Sequence, residues 1–182
     1  MIFISHRGNI DGPNAARENT VSYIQEALDK GFNVEIDVSA FASPNDFTPS
    51  KQEFVLGHSE EDVHNARICK SEECKVNLFF LLENKERLWI HTKNHEALFR
   101  LKGYSSSLNF FWHEDDEVAL TSKNELWTHV ECGADRYGMD SVVLIFNKEP
   151  IHIFNFRGIC SDHIEYYRKR YRETYDARPS RR

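Results

Sequence analysis

Residues 2–8 read Ile-Phe-Ile-Ser-His-Arg-Gly, and residues 32–38 read Phe-Asn-Val-Glu-Ile-Asp-Val. Both segments have the short apolar character that is typical of a buried strand. Between them, residues 20–30 carry apolar side chains at helical spacing, and Gly31 follows as a helix stop. A short helix between two apolar strands predicts a βαβ unit, in which the strands are parallel and the crossover is right-handed.

Further apolar runs along the chain predict more short strands, and residues 96–101 predict another helix. The predicted strands are at residues 54–57, 88–90, 109–112, 125–127, 141–145 and 158–160. After residue 104 the connections are too short for complete helices. We therefore expect an α/β fold of the TIM-like (β/α)8 barrel type, trimmed, with short or missing helices in its later half, because ordinary barrels use about 250 residues.

Composition limits the class of protein. A chain of 182 residues with 40% hydrophobic content predicts one folded domain, and its net charge of −6 argues against a nucleic-acid partner. We expect the barrel to cover residues 1–167 and a basic tail to cover residues 168–182. The chain enters a strand at once, has no apolar run of transmembrane length and has only four cysteines, so we expect a cytoplasmic protein with reduced thiols. The oligomeric state is left open.

Two carboxylates stand one residue apart on the second predicted strand. Glu35 and Asp37 project to the same face, whereas the flanking apolar residues point the other way. Side-by-side carboxylates repel each other unless protons or a cation compensate, and Mg²⁺ or Ca²⁺ is the natural partner. The alternative is a solvated strand face whose acids bind nothing.

A histidine and a lysine repeat this spacing on a later strand. His91 could complete a metal shell, and the Lys93 ammonium could neutralise a phosphate oxygen. The alternative is that both residues lie at the solvent end of a strand. Trp89 shares their face and indicates that this face is not simply exposed.

His6 and His58 are candidates for acid–base catalysis, because two imidazoles that titrate near neutrality can take up one proton and deliver another. Arg7 suits a bidentate grip on a phosphate, and Gly8 lets the backbone pass close to it. With the metal-type residues on neighbouring strands, these side chains predict metal-assisted cleavage of a phosphodiester.

These motifs carry a resemblance that covers nearly the whole chain. His6-Arg7-Gly8, Glu18-Asn19-Thr20, Glu35-x-Asp37 and Gly57-His58 resemble the glycerophosphodiester phosphodiesterase family of phospholipase-C-like barrels, as does Gly158-Ile159-Cys160-Ser161-Asp162. Residues 88–94 and 111–127 resemble a small, divergent subgroup. The resemblance implies a TIM-like barrel, a divalent metal, two catalytic histidines, a small phosphodiester substrate, supporting roles for Glu18 and Asn19, and a place in lipid metabolism.

The chain departs from the family pattern at two positions. The family usually has His-Asp where this chain has His58-Ser59, so a carboxylate that orients the imidazole is missing. It usually has Glu-x-Lys where this chain has His91-x-Lys93. Imidazole is a poorer ligand than carboxylate for Mg²⁺ and Ca²⁺ and a better one for Mn²⁺ or Zn²⁺, so Mn²⁺ is a further candidate metal.

Two other functions compete with the phosphodiesterase. One is a catalytically weakened barrel protein that binds a phosphate ligand, which Ser59, His91 and the trimmed later half favour. The other is a lipid phosphodiesterase that acts at a membrane, with its basic tail attracted to anionic headgroups. The chain has no apolar insertion element, which makes the membrane enzyme the weakest of the three.

Overall fold

The computed structural model describes residues 1–41, 53–68, 72–129, 138–148 and 155–176, which form a mixed α/β fold with one ten-stranded sheet and five α-helices. The strands are β1 (Ile2–His6), β2 (Asn33–Ser39), β3 (Glu53–Leu56), β4 (Lys75–Asn77), β5 (Leu88–Thr92), β6 (Phe110–Phe111), β7 (Val118–Leu120), β8 (Leu126–His129), β9 (Ser141–Ile145) and β10 (Gly158–Ser161). The helices are α1 (Val21–Asp29), α2 (Glu60–Ile68), α3 (Leu78–Glu83), α4 (His95–Lys102) and α5 (Ile164–Asp176).

Seven strands run parallel in the order β6-β5-β2-β1-β10-β9-β8. The predicted βαβ unit is confirmed, because β1 and β2 are parallel with His6 beside Glu35 in their register. On the other side of β2, Asp37 lies beside His91 of β5. The carboxyl ends of the three strands therefore bring four predicted site residues to one edge of the sheet.

The remaining strands are antiparallel. β3 pairs with the end of β2, β4 pairs with β3, and β7 forms a hairpin with β8. Among the described residues, the ladder that starts at β6 does not continue to β8. The structure thus establishes a mixed α/β fold with a mainly parallel sheet, and closure into a (β/α)8 barrel stays a prediction.

The sheet has an apolar layer on each of its two faces. Val34, Ile36 and Val38 of β2 point into the layer under the helices, as the strand alternation predicts. On the opposite face, Phe111 of β6 and Trp127 of β8 stack with their ring centroids 4.7 Å apart. Since these two strands lie at opposite ends of the parallel series, the sheet curls around an apolar interior.

Helices are unevenly distributed, as predicted. Among the described residues from 104 to 157, the only helical elements are short 3₁₀ turns, such as Gly138–Asp140, with no α-helix. After β10, however, the 13-residue α5 packs against β1 and β10 and runs through position 168, where the basic tail is expected to begin. None of the helices in the described residues has the length and apolar character that a membrane span requires.

Arg168 ties α5 to the body of the protein. Its guanidinium lies 3.8 Å from the centroid of the Phe32 ring and donates a 2.8 Å hydrogen bond to the Lys30 carbonyl. We expect Arg168→Ala to lower the free energy of unfolding by about 1–2 kcal/mol, because it removes a cation–π contact and a hydrogen bond. Arg172→Ala removes an exposed arginine of the same helix and should change it by less than about 0.5 kcal/mol. Urea denaturation of both variants measures the difference, and equal effects would show that the Arg168 contacts contribute nothing.

Candidate active site

All nine residues predicted for the site lie together at the carboxyl end of the parallel strands. They are His6, Arg7, Glu18, Asn19, Glu35, Asp37, His58, His91 and Lys93. In parallel sheets and barrels this edge is where binding and catalytic side chains gather, since the loops that follow the strands meet there. Their individual roles stay predictions, whereas their proximity is a property of the structure.

Glu35 is a buried carboxylate without a close partner for one of its oxygens. Its side chain is 2% exposed, and Oε2 has no hydrogen-bond partner. The nearest cationic groups are the imidazoles of His6 and His91, at 3.8 Å and 3.9 Å from its two oxygens. Burial and the adjacent charge of Asp37 raise the pKa of Glu35. This carboxylate therefore requires a proton or a cation.

Asp37 is fully buried but well compensated. Its Oδ2 accepts a hydrogen bond from the Asn19 amide at 3.0 Å and lies 2.8 Å from Arg7 Nε, and its backbone N–H donates to Asn19 Oδ1. Burial alone would raise the pKa of Asp37, but the nearby imidazoles of His58 and His91 and the charge of Arg7 hold it well below its usual range. Asp37 is thus ionised, and Asn19 fixes its orientation.

Arg7 links the two halves of the site. Its guanidinium contacts Asp37, lies 3.4 Å from a Glu18 oxygen, and donates a 2.7 Å hydrogen bond to His58 Nδ1. The Arg7 backbone has a φ of 54°, which is uncommon for a residue with a side chain. Gly8 follows with a φ of 91°, and a Cβ there would lie 2.8 Å from the Tyr23 ring, so only glycine fits this turn.

Asp162, which was not among the predicted site residues, orients His6. Its Oδ1 accepts from His6 Nδ1 at 2.8 Å and from the Asn9 amide at 2.8 Å, and the same amide donates to Glu18. Burial acts to lower the pKa of His6, but the hydrogen bond to Asp162 and the charge of Glu35 outweigh it and raise that pKa. Its place in the sequence could have identified Asp162 as a site residue, because it directly follows β10 as Arg7 follows β1.

His91 is held by a second residue that the prediction of the site omitted. Its Nε2 lies 3.3 Å from the His113 carbonyl, so this nitrogen carries the proton, and the two rings stack with centroids 4.4 Å apart. Nδ1 consequently faces Asp37 Oδ1 at 3.1 Å. Metal-binding histidines commonly donate their other N–H to a carbonyl in this way. Burial and the neighbouring His91 lower the pKa of His113 to about 4.

Position 59, where the family pattern usually has an aspartate, is occupied by Ser59, which caps a helix. Its hydroxyl accepts from the Asp62 N–H at 3.0 Å, and the Asp62 carboxylate accepts from the Ser59 N–H at 3.0 Å. This reciprocal capping box starts α2. The His58 ring that precedes it is oriented by Arg7 instead, and its side chain is 46% exposed.

The buried trio of Glu35, Asp37 and His91 fits a divalent cation. One ligand atom from each residue lies within 4.8 Å of the others, and one oxygen of each carboxylate, Glu35 Oε2 and Asp37 Oδ1, lacks a hydrogen-bond partner. Two carboxylates and an imidazole are a mixed donor set that accepts both hard ions and softer ones such as Mn²⁺. Lys93 Nζ lies 4.0 Å from Asp37 Oδ1, at the rim of this cluster.

Comparisons with known proteins support the fold. The structure resembles a crystal structure described as that of a "putative glycerophosphodiester phosphodiesterase from Galdieria sulphuraria", with a TM-score of 0.51 and 14% sequence identity. The match covers 94% of this chain and 97% of the other. No protein-family model and no curated protein sequence matches the chain. At this identity the likeness extends to the fold alone.

We expect Asp162→Asn to lower the pKa of His6, because it removes the charge that stabilises the imidazolium. A raised pKa means that the pair stabilises the fold fully below the ordinary histidine value of 6.5, and that this contribution is lost as pH rises through the folded-state pKa. NMR titration of the His6 ring measures the pKa. The difference in the free energy of unfolding between wild type and Asp162→Asn should therefore become smaller as pH rises above the folded-state pKa of His6. If His6 has the same pKa in Asp162→Asn as in wild type, Asp162 does not stabilise the imidazolium.

Proposed function

We propose that this protein is a metal-dependent phosphodiesterase that hydrolyses a glycerophosphodiester or a similar small phosphodiester. The observation that carries the proposal is the buried trio of Glu35, Asp37 and His91 lying beside two imidazoles and an arginine. The likeness of the whole fold to the Galdieria sulphuraria structure agrees with it. Such a site combines groups that hold a cation, bind a phosphate and transfer protons.

Glu35, Asp37 and His91 would hold the metal, through the oxygens and the Nδ1 atom that face one another. A divalent ion there would polarise the phosphoryl oxygens and offset the charge that develops on them. Mg²⁺ and Ca²⁺ suit the carboxylates, and the imidazole shifts the preference toward Mn²⁺.

His6 has the geometry of a general base. Because Nδ1 donates to Asp162, the nitrogen that gains and loses a proton is Nε2, which faces Glu35. Above the pKa of His6 this nitrogen is unprotonated and can take a proton from an attacking hydroxyl or water. Asp162 both fixes the ring and stabilises the imidazolium that results.

His58 has the geometry of the acid. A guanidinium can only donate, so His58 Nδ1 accepts from Arg7, and the ring is neutral with its proton on Nε2. To act as the acid, the ring first gains a second proton at Nδ1, where Asp37 Oδ2 lies 3.3 Å away as a hydrogen-bond acceptor. Transfer of the Nε2 proton to the leaving oxygen then returns the ring to its neutral form. Arg7 and Lys93 are the cationic groups beside Asp37 that would bind the phosphate. Glu18 contacts Arg7 and keeps its guanidinium in place.

A phosphate-binding barrel protein without turnover is the second candidate. It is favoured by the position of Ser59, whose hydroxyl and N–H serve the cap of α2 and leave His58 without a carboxylate of its own. Both candidates predict that the trio binds metal, so a turnover assay separates them.

The test is release of alcohol from glycerophosphocholine and glycerophosphoglycerol with added Mg²⁺, Ca²⁺ or Mn²⁺ or with excess chelator. We expect metal-dependent turnover, and we expect His6→Ala and His58→Ala each to slow it by about 10²-fold or more, the scale of a lost general acid or base. His95→Ala, which removes an exposed imidazole of α4, is the matched control and should retain the rate. Metal binding without turnover of either diester would favour the binding protein, and full turnover in chelator would rule out the metal.

The metal preference tests the role of His91. We expect His91→Glu to keep metal binding and to shift the preference toward Mg²⁺ or Ca²⁺, because carboxylate oxygen suits harder ions. His91→Ala should weaken binding of every ion. Titration calorimetry with each ion reads this directly and needs no turnover. If neither variant changes the affinity for any ion, the metal site consists of Glu35 and Asp37 alone.

A further inference from the structure

A polar cavity lies at the amino ends of the parallel strands, at the end of the sheet opposite the candidate active site. Its volume of about 450 Å³ is in the range of small-molecule sites. It is bordered by Ile2 at the start of β1, Asn33 at the start of β2, Trp89 of β5 and Asn109 just before β6. None of the nine candidate site residues is among its described lining residues.

The cavity lies on the same face of the sheet as the metal-type residues. Asn33 precedes Glu35 by two residues on β2, and Trp89 precedes His91 by two residues on β5. Residues two apart on a strand project to the same face, about 7 Å apart along the strand. In parallel barrels the amino-terminal face usually serves stability. A cavity at that end with mainly polar side chains therefore calls for another explanation.

The charged side chains of the cavity are more often cationic than acidic. They are Lys85, Lys123, Arg157, Glu86 and Glu125. Arg157 Nη2 lies 2.8 Å from Glu125 Oε1, so this pair is neutral and leaves two lysines against one glutamate. Lys123 uses one of its three N–H donors on the Ser106 carbonyl. Both lysines are exposed residues, so their ammonium groups can turn toward an anion at the rim.

Asn109 provides an acceptor without a donor in the wall of the cavity. The residue is 8% exposed, and its Nδ2 donates a 3.2 Å hydrogen bond to Glu125 Oε2. Its Oδ1 is buried and has no hydrogen-bond partner among the described residues. A buried acceptor of this kind costs free energy until a donor reaches it. A hydroxyl group of a ligand would supply the donor.

We propose that this cavity is a second ligand site and that it binds a small sugar phosphate. The phosphate lies at Lys85 and Lys123, since lysine binds phosphate as a point charge. The sugar hydroxyls, which both donate and accept, bind Asn109 and the other uncharged polar side chains of the wall, Asn33, Ser106 and Ser107. The inference does not rest on the proposed function, because the two sites share no described residue.

The test is an NMR titration of the protein in excess chelator, with the side-chain amide of Asn109 and the indole N–H of Trp89 as local signals. The probes are glucose 6-phosphate and ribose 5-phosphate, each compared with the free sugar and with inorganic phosphate. We expect at least one sugar phosphate to shift both signals to saturation. Its Kd should be roughly tenfold or more below those of the free sugar and inorganic phosphate, because each of these lacks one set of contacts.

Lys85→Gln tests the phosphate end of the cavity, because it removes one charge from an exposed residue. It should weaken binding of the sugar phosphate by roughly threefold or more, the scale of one charge contact at an exposed site, and leave binding of the free sugar unchanged. Lys102→Gln is the matched control. It removes an exposed lysine at the end of α4 that is not among the described lining residues, and it should keep the wild-type affinity.

Three results would overturn the inference. If no sugar phosphate shifts the Asn109 and Trp89 signals, only solvent fills the cavity. Equal affinity for sugar phosphate and inorganic phosphate, or an equal loss in both lysine variants, would mean that the cavity does not recognise the two parts together. Shifts confined to the rings of His6 and His58 would place the ligand in the candidate active site. Turnover is not measured, so failure of this inference and failure of the proposed function are read separately.

Discussion

The burial of two carboxylates at the end of one strand is the constraint on which the rest of the site depends. Glu35 and Asp37 are almost inaccessible to solvent and point into the same space. Removing two such charges from water costs several kcal/mol each unless partners compensate. The partners come from every neighbouring element: Arg7 after β1, Asn19 before α1, His91 on β5 and His58 after β3. The positions of the surrounding loops follow from this requirement.

The negative charges of Glu35 and Asp37 are compensated to different extents by neighbouring groups, and this difference affects how the site would bind a cation. Asp37 receives an amide, an arginine and two imidazoles, so it is ionised without a metal. Glu35 has only distant imidazoles and a raised pKa. A cation that arrives between them would displace a proton from Glu35 more readily than it would disturb Asp37. Metal affinity should accordingly depend on pH through Glu35.

Much of this arrangement could be predicted from local pattern, because strand alternation places Glu35 and Asp37 on the face opposite Val34, Ile36 and Val38. The antiparallel direction of β3 could not be predicted, because an apolar run indicates that a strand is buried but not in which direction it runs. Nor could the ring proton of His91 be located, because its partner is a backbone carbonyl, which every residue type has. Helix α2 was not predicted either. Few of its side chains are apolar, so it has no apolar periodicity, and its start depends on a cap between Ser59 and Asp62.

The pairing of β1 with β10 has a consequence for how the chain reaches this structure. β1 pairs with β2 along one edge, and its other edge pairs with β10, Ile2 with Gly158 and Ser5 with Ser161, a segment more than one hundred and fifty residues later. During translation, the hydrogen bond between His6 and Asp162 cannot form until the intervening strands and Asp162 have been synthesised. Contacts of such long sequence separation slow folding, because the chain loses the entropy of closing a long loop before strand pairing stabilises it. Nascent chains should therefore expose the unpaired edge of β1 to chaperones until β10 has left the ribosome.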